Sequence, residues 1–262
     1  MRASGKRYKI KKKKSILKSR LFWLALLTIF LLSLFSWLFI FSSIFRINEV
    51  LVSGNEKIAT QEIKNLVLPK IEKRFLGIVI ENIFLTDPKI IKNLILERFP
   101  LIDELKVKRL LPDYLSIEMT ERKIIGVWCR ENNCFSFDKK GIIFEPSQRE
   151  SSENLVIDSK QSKGESALGK EVIEEKRLSQ ILLIQKTIRE KAKIEVKEFT
   201  FFENEARLNA ITTEGWQAYF DLNSDLNWQL VELELVLEKE LPQEKRQNLE
   251  YIELRFNKVY YR

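Results

Sequence analysis

The apolar positions of this chain first gather into one uninterrupted run. From Leu21 to Phe45 there are 25 residues without a charge, Leu, Phe, Ile and Trp relieved by Ala25, Thr28 and four serines. At 1.5 Å per residue a helix of this length reaches about 37 Å, enough to cross a ~30 Å hydrocarbon core with some tilt. A buried helix of a soluble domain seldom stays charge-free past about fourteen residues, so the run reads as a membrane anchor. Leu21 and Phe45 bound it, and Trp23 and Trp37 are its candidate interfacial aromatics. A cleaved signal peptide would need a core of about 7–15 apolar residues and a small-x-small site. The run is longer, and Ser42-Ser43-Ile44-Phe45-Arg46 is a poor site.

Beyond Arg46 the pattern changes to short alternating and helical stretches. Ile47, Val50 and Val52 predict a strand closed by Ser53-Gly54-Asn55. Thr60 can cap a helix to about Leu68, with Ile63, Leu66 and Val67 on one face and Pro69 as its stop. Asp87-Pro88 opens a second helix, its face Ile90, Ile91, Leu94 and Ile95, which ends at Phe99-Pro100. Alternation at Leu105 and Val107, then at Leu115, Ile117 and Met119, predicts two strands joined through Leu111-Pro112-Asp113. The order β-α-α-β-β predicts two helices on one face of a three-stranded sheet.

The remainder predicts a mixed, mainly antiparallel β domain with flanking helices, making the whole chain α+β. Residues 124–138 read as two strands around a four-residue loop, Arg130 to Asn133. Residues 147–169, rich in Ser, Lys, Glu and Gly, read as a surface excursion. A helix follows over about 170–191, its face including Leu178, Ile181, Leu182 and Ile188. Strands are expected at 194–202, 207–212 and 216–221, and then a helix opened by Ser224 or Asp225. Its Leu226, Leu230, Leu233 and Leu237 form one buried stripe too short for a zipper. Near the end, Ile252, Leu254 and Phe256 point one way and Glu253 and Arg255 the other, a half-buried strand. The expected organisation is a basic tail over 1–20, an anchor over 21–45, a small α+β domain over 46–122 and the β domain over 123–262.

Charge refines the picture. The formal net charge is +8, but residues 1–20 hold ten basic side chains and no acid. Removing those ten from 45 Lys+Arg leaves 35 against 37 Asp+Glu, so the rest of the chain is near neutral. The basic tail therefore serves topology and anionic headgroups, holding the N-terminus in the cytoplasm and the 217 residues from Arg46 outside. Only Tyr8 offers a base something to stack on there, so no nucleic-acid partner is expected.

The chain has no histidine, which excludes Ser-His-Asp and Cys-His machinery and every metal site that needs imidazole. Carboxylate pairs such as Glu174-Glu175 and Glu232/Glu234 lie on amphipathic helices among lysines and read as solvated faces. No nucleophile elbow or phosphate loop occurs, so no catalytic residue, cofactor, metal or small-molecule substrate is expected. Cys129 and Cys134 would face each other in the hairpin, within disulfide reach in an oxidising compartment. Two thiolates without histidine fill only half a zinc shell.

Several strings, in order, resemble the bacterial division proteins of the FtsQ family, called DivIB in some lineages. Phe45-Arg46-Ile47-Asn48-Glu49-Val50 with Ser53-Gly54-Asn55 resembles the start of their POTRA domain. Asn82-Ile83-Phe84-Leu85-Thr86, Phe99-Pro100-Leu101-Ile102, Val107 to Pro112 and Ile117 to Arg122 follow the family's succession. Phe137-Asp138-Lys139-Lys140-Gly141 is similar to its Asp-x-x-Gly element, whereas the two cysteines are not a general family feature. Tyr251-Ile252-Glu253-Leu254-Arg255-Phe256, with Val259-Tyr260-Tyr261 behind it, resembles the family's closing strand, with Glu253 where aspartate is commoner.

The resemblance implies a bitopic scaffold of the septal machinery in the plasma (inner) membrane. Its β domain would bind FtsL- and FtsB-type (DivIC) partners and so connect early division proteins to the FtsW–FtsI septal synthase. Strand addition to a sheet edge is the expected mode, since main-chain hydrogen bonds supply affinity and side pockets specificity. The expected partner-binding residues are Tyr251, Ile252, Glu253, Leu254, Arg255, Phe256, Val259, Tyr260 and Tyr261. The alternative is a POTRA-bearing component of protein transport or outer-membrane assembly. Such chains usually carry several POTRA repeats before a β-barrel, and no barrel-length strand series is seen here.

Overall fold

The computed structural model describes residues 20–75, 78–149, 155–160 and 167–262. The basic tail, apart from Arg20, lies outside the described residues. Helix α1 (Arg20–Phe41) carries no buried residue along its 22 positions, and its most apolar window has a mean hydropathy of 2.5. A single turn of tighter helix, Ser43–Phe45, follows, and the Ser42 hydroxyl caps it by accepting from Ile44 N at 3.2 Å.

The order expected for residues 46–122 is present with one addition. Strand β1 (Glu49–Ser53) leads to α2 (Thr60–Ile71), a hairpin of β2 (Lys73–Phe75) and β3 (Ile78–Ile80), α3 (Pro88–Arg98), β4 (Ile102–Leu110) and β5 (Tyr114–Glu121). The long strands form a three-stranded sheet in the order β1-β5-β4, and β2 pairs only with β3. Helix α2 does not stop at Pro69. It runs two residues further, because a proline in a last turn removes an N–H yet leaves earlier helical bonds intact. In α3 the Asp87 carboxylate accepts from Lys89 N at 2.9 Å, and Ile91 and Ile95 are buried. Ile90, expected on the same face, is 59% exposed. Gly54 turns the chain after β1 at φ +79°, where an added Cβ would meet Met119 O at 2.0 Å.

From residue 126 onward the strands join one nine-stranded sheet. They are β6 (Gly126–Arg130), β7 (Asn133–Phe137), β8 (Ile143–Ser147), β9 (Val156–Lys160), β10 (Val196–Phe202), β11 (Arg207–Thr212), β12 (Gln217–Asp221), β13 (Tyr251–Glu253) and β14 (Tyr260–Tyr261). Their spatial order is β14-β13-β12-β11-β10-β9-β6-β7-β8. Helix α4 (Glu175–Ala192) carries the chain from β9 to its parallel neighbour β10, and α5 (Leu226–Lys239) does the same from β12 to β13. The other pairs are antiparallel except β6 with β9.

One transverse row shows how the core is assembled. Ile252, Ala218, Ala210, Phe199, Ile157, Trp128 and Phe135 lie opposite one another in turn. All but the partly buried Phe135 are buried, in one cluster with Leu178, Ile181, Ile184 and Ile188 of α4 and the leucine stripe of α5. Leu182 is not on that face and is 37% exposed. The Gln229 side chain fastens α5 to β12 by donating to Asp221 O at 2.8 Å and accepting from Asp221 N at 2.9 Å. Arg246 is buried on the way to β13 and donates to Leu241 O at 2.8 Å and Ala192 O at 3.1 Å, satisfying carbonyls at a helix end.

Three further expectations change. The stretch 147–169 contains β9, which lies between β6 and β10 with Leu155, Val156 and Ile157 buried. Its polar flanks masked a short apolar run of the kind that fills an inner parallel strand. The loop of the β6–β7 hairpin is two residues, Glu131 and Asn132, because Arg130 and Asn133 still pair. Glu131 takes φ 56°, as a tight hairpin turn requires. The closing strand is shorter than expected and is no longer the sheet's edge.

By compactness the described residues form two units, one drawn from 20–52, 60–91 and 107–117, the other from 53–59, 92–106 and 118–262.

Candidate partner-binding surface

Residues that alternate with the core row along the strands point to the other face of the sheet, away from α4 and α5. Tyr260 lies opposite Glu253, Glu253 opposite Tyr219, Tyr219 opposite Asn209 and Asn209 opposite Thr200. Alternation along β11 and β12 puts Leu208, Ala210, Ala218 and Phe220 inside, so Arg207, Asn209 and Tyr219 must face away.

The chain leaves β13 abruptly. Leu254 N still donates to Tyr219 O at 3.0 Å, after which the backbone bends over 255–258 and returns as β14. Glu250 N and Tyr251 N donate to Arg262 O at 2.6 and 3.3 Å, and Arg262 N donates back to Tyr251 O at 3.2 Å. Strand β13 therefore has neighbours on both sides, β12 and β14, and the open edge is β14. Phe256 falls in the reversal and is 58% exposed, so it is not the inward residue that alternation predicts. Glu253, expected outward beside solvent, is 7% exposed. Tyr260 and Tyr261 are about half exposed on the edge strand.

Charged and aromatic groups interlock here. The Arg255 guanidinium grips Glu253 with two bonds, Nε to Oε1 at 2.8 Å and Nη2 to Oε2 at 2.6 Å. That grip raises the Arg255 pKa above its ordinary value and holds its Cζ 5.7 Å from the Tyr219 ring centroid and 5.6 Å from that of Phe256. Tyr219 stacks on Tyr251 with centroids 5.6 Å apart. Burial, together with the Glu253 charge, pushes its phenol above the usual tyrosine value. Arg207 Cζ sits 3.7 Å over the Phe202 ring. Arg207, Asn209, Tyr219 and Arg255 line one shallow concavity. In it the buried Arg207 Nε and Asn209 Oδ1 have no hydrogen-bond partner among the described residues. The same Arg207 guanidinium pairs through Nη1 with Glu205 Oε2 at 3.2 Å. Neither residue was singled out in the sequence; only the register of β11 beside β12 reveals them.

The other expected residues are spread out. Ile252 and Leu254 are core, Val259 packs partly against it, and Tyr251 is half-buried. Cys129 and Cys134 are bonded at the far side of the sheet, with Cα atoms 4.1 Å apart. Leu21, Trp23 and Trp37 are exposed along α1, and Phe45 follows its end. Among the described residues no group of three or more acidic or thiol side chains could hold a metal ion.

Comparison with known families decides what the first domain is. Residues 45–122 match the model of the POTRA domain, FtsQ-type. This chain carries an FtsQ-type POTRA domain. Following an N-terminal apolar helix and preceding a mixed sheet with helices, that POTRA domain is consistent with the FtsQ/DivIB family. POTRA domains mediate protein–protein contacts, and the FtsQ-type family consists of non-enzymatic scaffolds. The apolar helix before the POTRA domain has the length and composition of a single-pass anchor. No curated protein matches the chain.

Proposed function

We propose that this protein is a bitopic divisome scaffold that recruits FtsL- and FtsB-type partners through its β domain and links early division proteins to septal peptidoglycan synthesis at the plasma membrane. The supporting observation is the β14 edge together with the concavity beside it. Natural sheets blunt their edges with proline, bulges or charge. The opposite edge, β8, contains Pro146, whereas β14 presents Tyr260 and Tyr261. A partner strand added to β14 gains main-chain hydrogen bonds and has two aromatic anchors of the kind enriched at interface centres. The residues that follow such a strand can cross β13 and β12 to reach Arg207 and Asn209. The domain division at 122/123, the cytoplasmic N-terminus and the FtsW–FtsI connection belong to the same proposal.

The test compares Tyr260→Ala with Ile252→Ala in the purified full chain. Ile252 is fully buried and serves as the core control. Tyr260→Ala should keep its melting temperature and lose capture of a co-expressed FtsB-type ectodomain. Ile252→Ala should melt early, by about 2–5 kcal/mol of stability. Normal capture by Tyr260→Ala, with Arg207→Ala also unaffected, would place the partner elsewhere.

A further inference from the structure

The carbonyls in the last turn of any helix lack helical partners. At the edge of a hydrocarbon layer water cannot be relied on to satisfy them, so protein groups must. Helix α1 meets this need from 42 residues away. Asn82, only 3% exposed, donates through Nδ2 to Phe39 O and Ile40 O, each at 3.0 Å. Its Oδ1 accepts from Phe84 N at 2.8 Å, and its backbone forms a bridge with Arg46. Ile83 N donates to Phe45 O at 2.9 Å and Ile47 N to Glu81 O at 2.8 Å, so the segment 81–84 is tied to the chain leaving the helix at several points.

That attachment determines depth. Helix α1 has 22 residues and is about 33 Å long, close to the ~30 Å hydrocarbon thickness. When it spans, Phe39 to Phe41 stand at one boundary, and whatever is fastened to their carbonyls stands there too. Phe84 is so fastened. Its ring packs edge-on to Phe45 at 5.1 Å and lies 6.1 Å from Phe39, while Phe39 and Phe45 stack at 4.7 Å. The outer surface of this cluster is apolar, with Ile44 63%, Val79 47% and Phe84 44% exposed. Val79 shares a concavity with Ile40 and Phe41 of the helix end, rimmed by Arg46 and Glu81, which pair at 2.6 Å.

We propose that Ile44, Val79 and Phe84 form a membrane-contact surface that seats this part of the POTRA domain in the headgroup–acyl boundary of the bilayer crossed by α1. The inference rests on reading α1 as a membrane anchor. Apolar and aromatic side chains at that level bury about 5–10 Å into the boundary. The Arg46–Glu81 rim is polar enough to stay among headgroups. The patch is continuous with the lipid-facing helix, which makes lipid its occupant in preference to a protein partner.

The test uses the full chain in vesicles of phosphatidylethanolamine and phosphatidylglycerol, carrying one nitroxide-labelled cysteine at a time while Cys129 and Cys134 remain bonded. Labels at Leu31→Cys, Ile44→Cys, Val79→Cys, Phe84→Cys and Ile90→Cys are compared by collision with oxygen and with a water-soluble nickel chelate. The Leu31 label, at the middle of α1, should read deep and the Ile90 label aqueous. The labels at 44, 79 and 84 should favour oxygen over nickel several-fold relative to the Ile90 label. Because Ile44 and Val79 lie outside the aromatic trio, their labels hold even if substitution at 84 loosens it. Aqueous readings at 44, 79 and 84 beside a deep Leu31 label would overturn the proposal and show a patch left for a protein. An aqueous Leu31 label would overturn the anchor reading and the proposal with it.

Discussion

Arg122 Nη1 donates to Asp138 Oδ2 at 2.5 Å, both side chains nearly withdrawn from solvent within one compact unit. The same guanidinium reaches Pro100 O at 3.0 Å and Asp103 at 3.4 Å, and Lys140 donates to Asp103 at 2.5 Å. Asp138 also accepts from Lys140 N and Ile142 N through its other oxygen, closing the turn that Gly141 makes at φ +71°. A buried pair broken from one side leaves an uncompensated charge, so Arg122→Ala should cost about 3–5 kcal/mol in urea unfolding followed by tryptophan fluorescence. Asp138→Asn can keep the turn bonds and should cost about 1–3 kcal/mol. A loss below about 1 kcal/mol for Arg122→Ala would mean that water reaches the pair and treats it as a surface bridge.

Acid sensitivity should trace to Glu121 and Asp103. Burial pushes Glu121 up, but backbone N–H groups of Ile58, Lys57 and Glu56 outweigh it and leave the carboxylate below its ordinary 4.5. The Lys140 hydrogen bond holds Asp103 below its ordinary 3.8. A lowered folded pKa contributes stability that is complete above the unfolded value and lost as pH falls through the folded one. Unfolding free energy should therefore decline below about pH 4.5. Glu121→Gln should lower stability at neutral pH and flatten that acid limb. An unchanged limb would assign acid loss to other carboxylates.

Replacing Cys129 and Cys134 together by serine should cost about 2 kcal/mol, since the bond closes a very short loop. Non-reduced peptide mass spectrometry should find the two linked after export. Free thiols would contradict the paired geometry.

Orientation should follow the basic tail. A reporter fused after Arg262 should be active only outside the cytoplasm, and neutralising most charges in residues 6–20 should produce mixed orientation. A single orientation kept after neutralisation would mean that the charge bias does not decide it.

Periodicity exposed the elements that bury one continuous stripe, because a local repeat of 2 or 3.6 residues carries that information by itself. The anchor run, the Asp87-Pro88 helix start, the Leu226-Leu230-Leu233-Leu237 stripe and the facing cysteines were all legible in this way. Strand β9 was not, since its few apolar residues lie between polar flanks and its place depends on two strands remote in sequence, β6 and β10.

The end of the chain divides the same way. Alternation from Ile252 to Phe256 correctly places Ile252 and Leu254 inside. It cannot foresee that the backbone reverses after Leu254, exposes Phe256 and makes β14 the edge, because a reversal is decided by which strand the returning segment can pair with. Arg207 and Asn209 meet Tyr219 and Arg255 only through register between strands, and Asn82 finds the end of α1 only because the intervening POTRA elements bring it there. The sequence by itself determined which segments are apolar, capped or charged. Tertiary structure alone decided which polar groups meet across long separations, because those contacts depend on pairing and packing that no local pattern encodes.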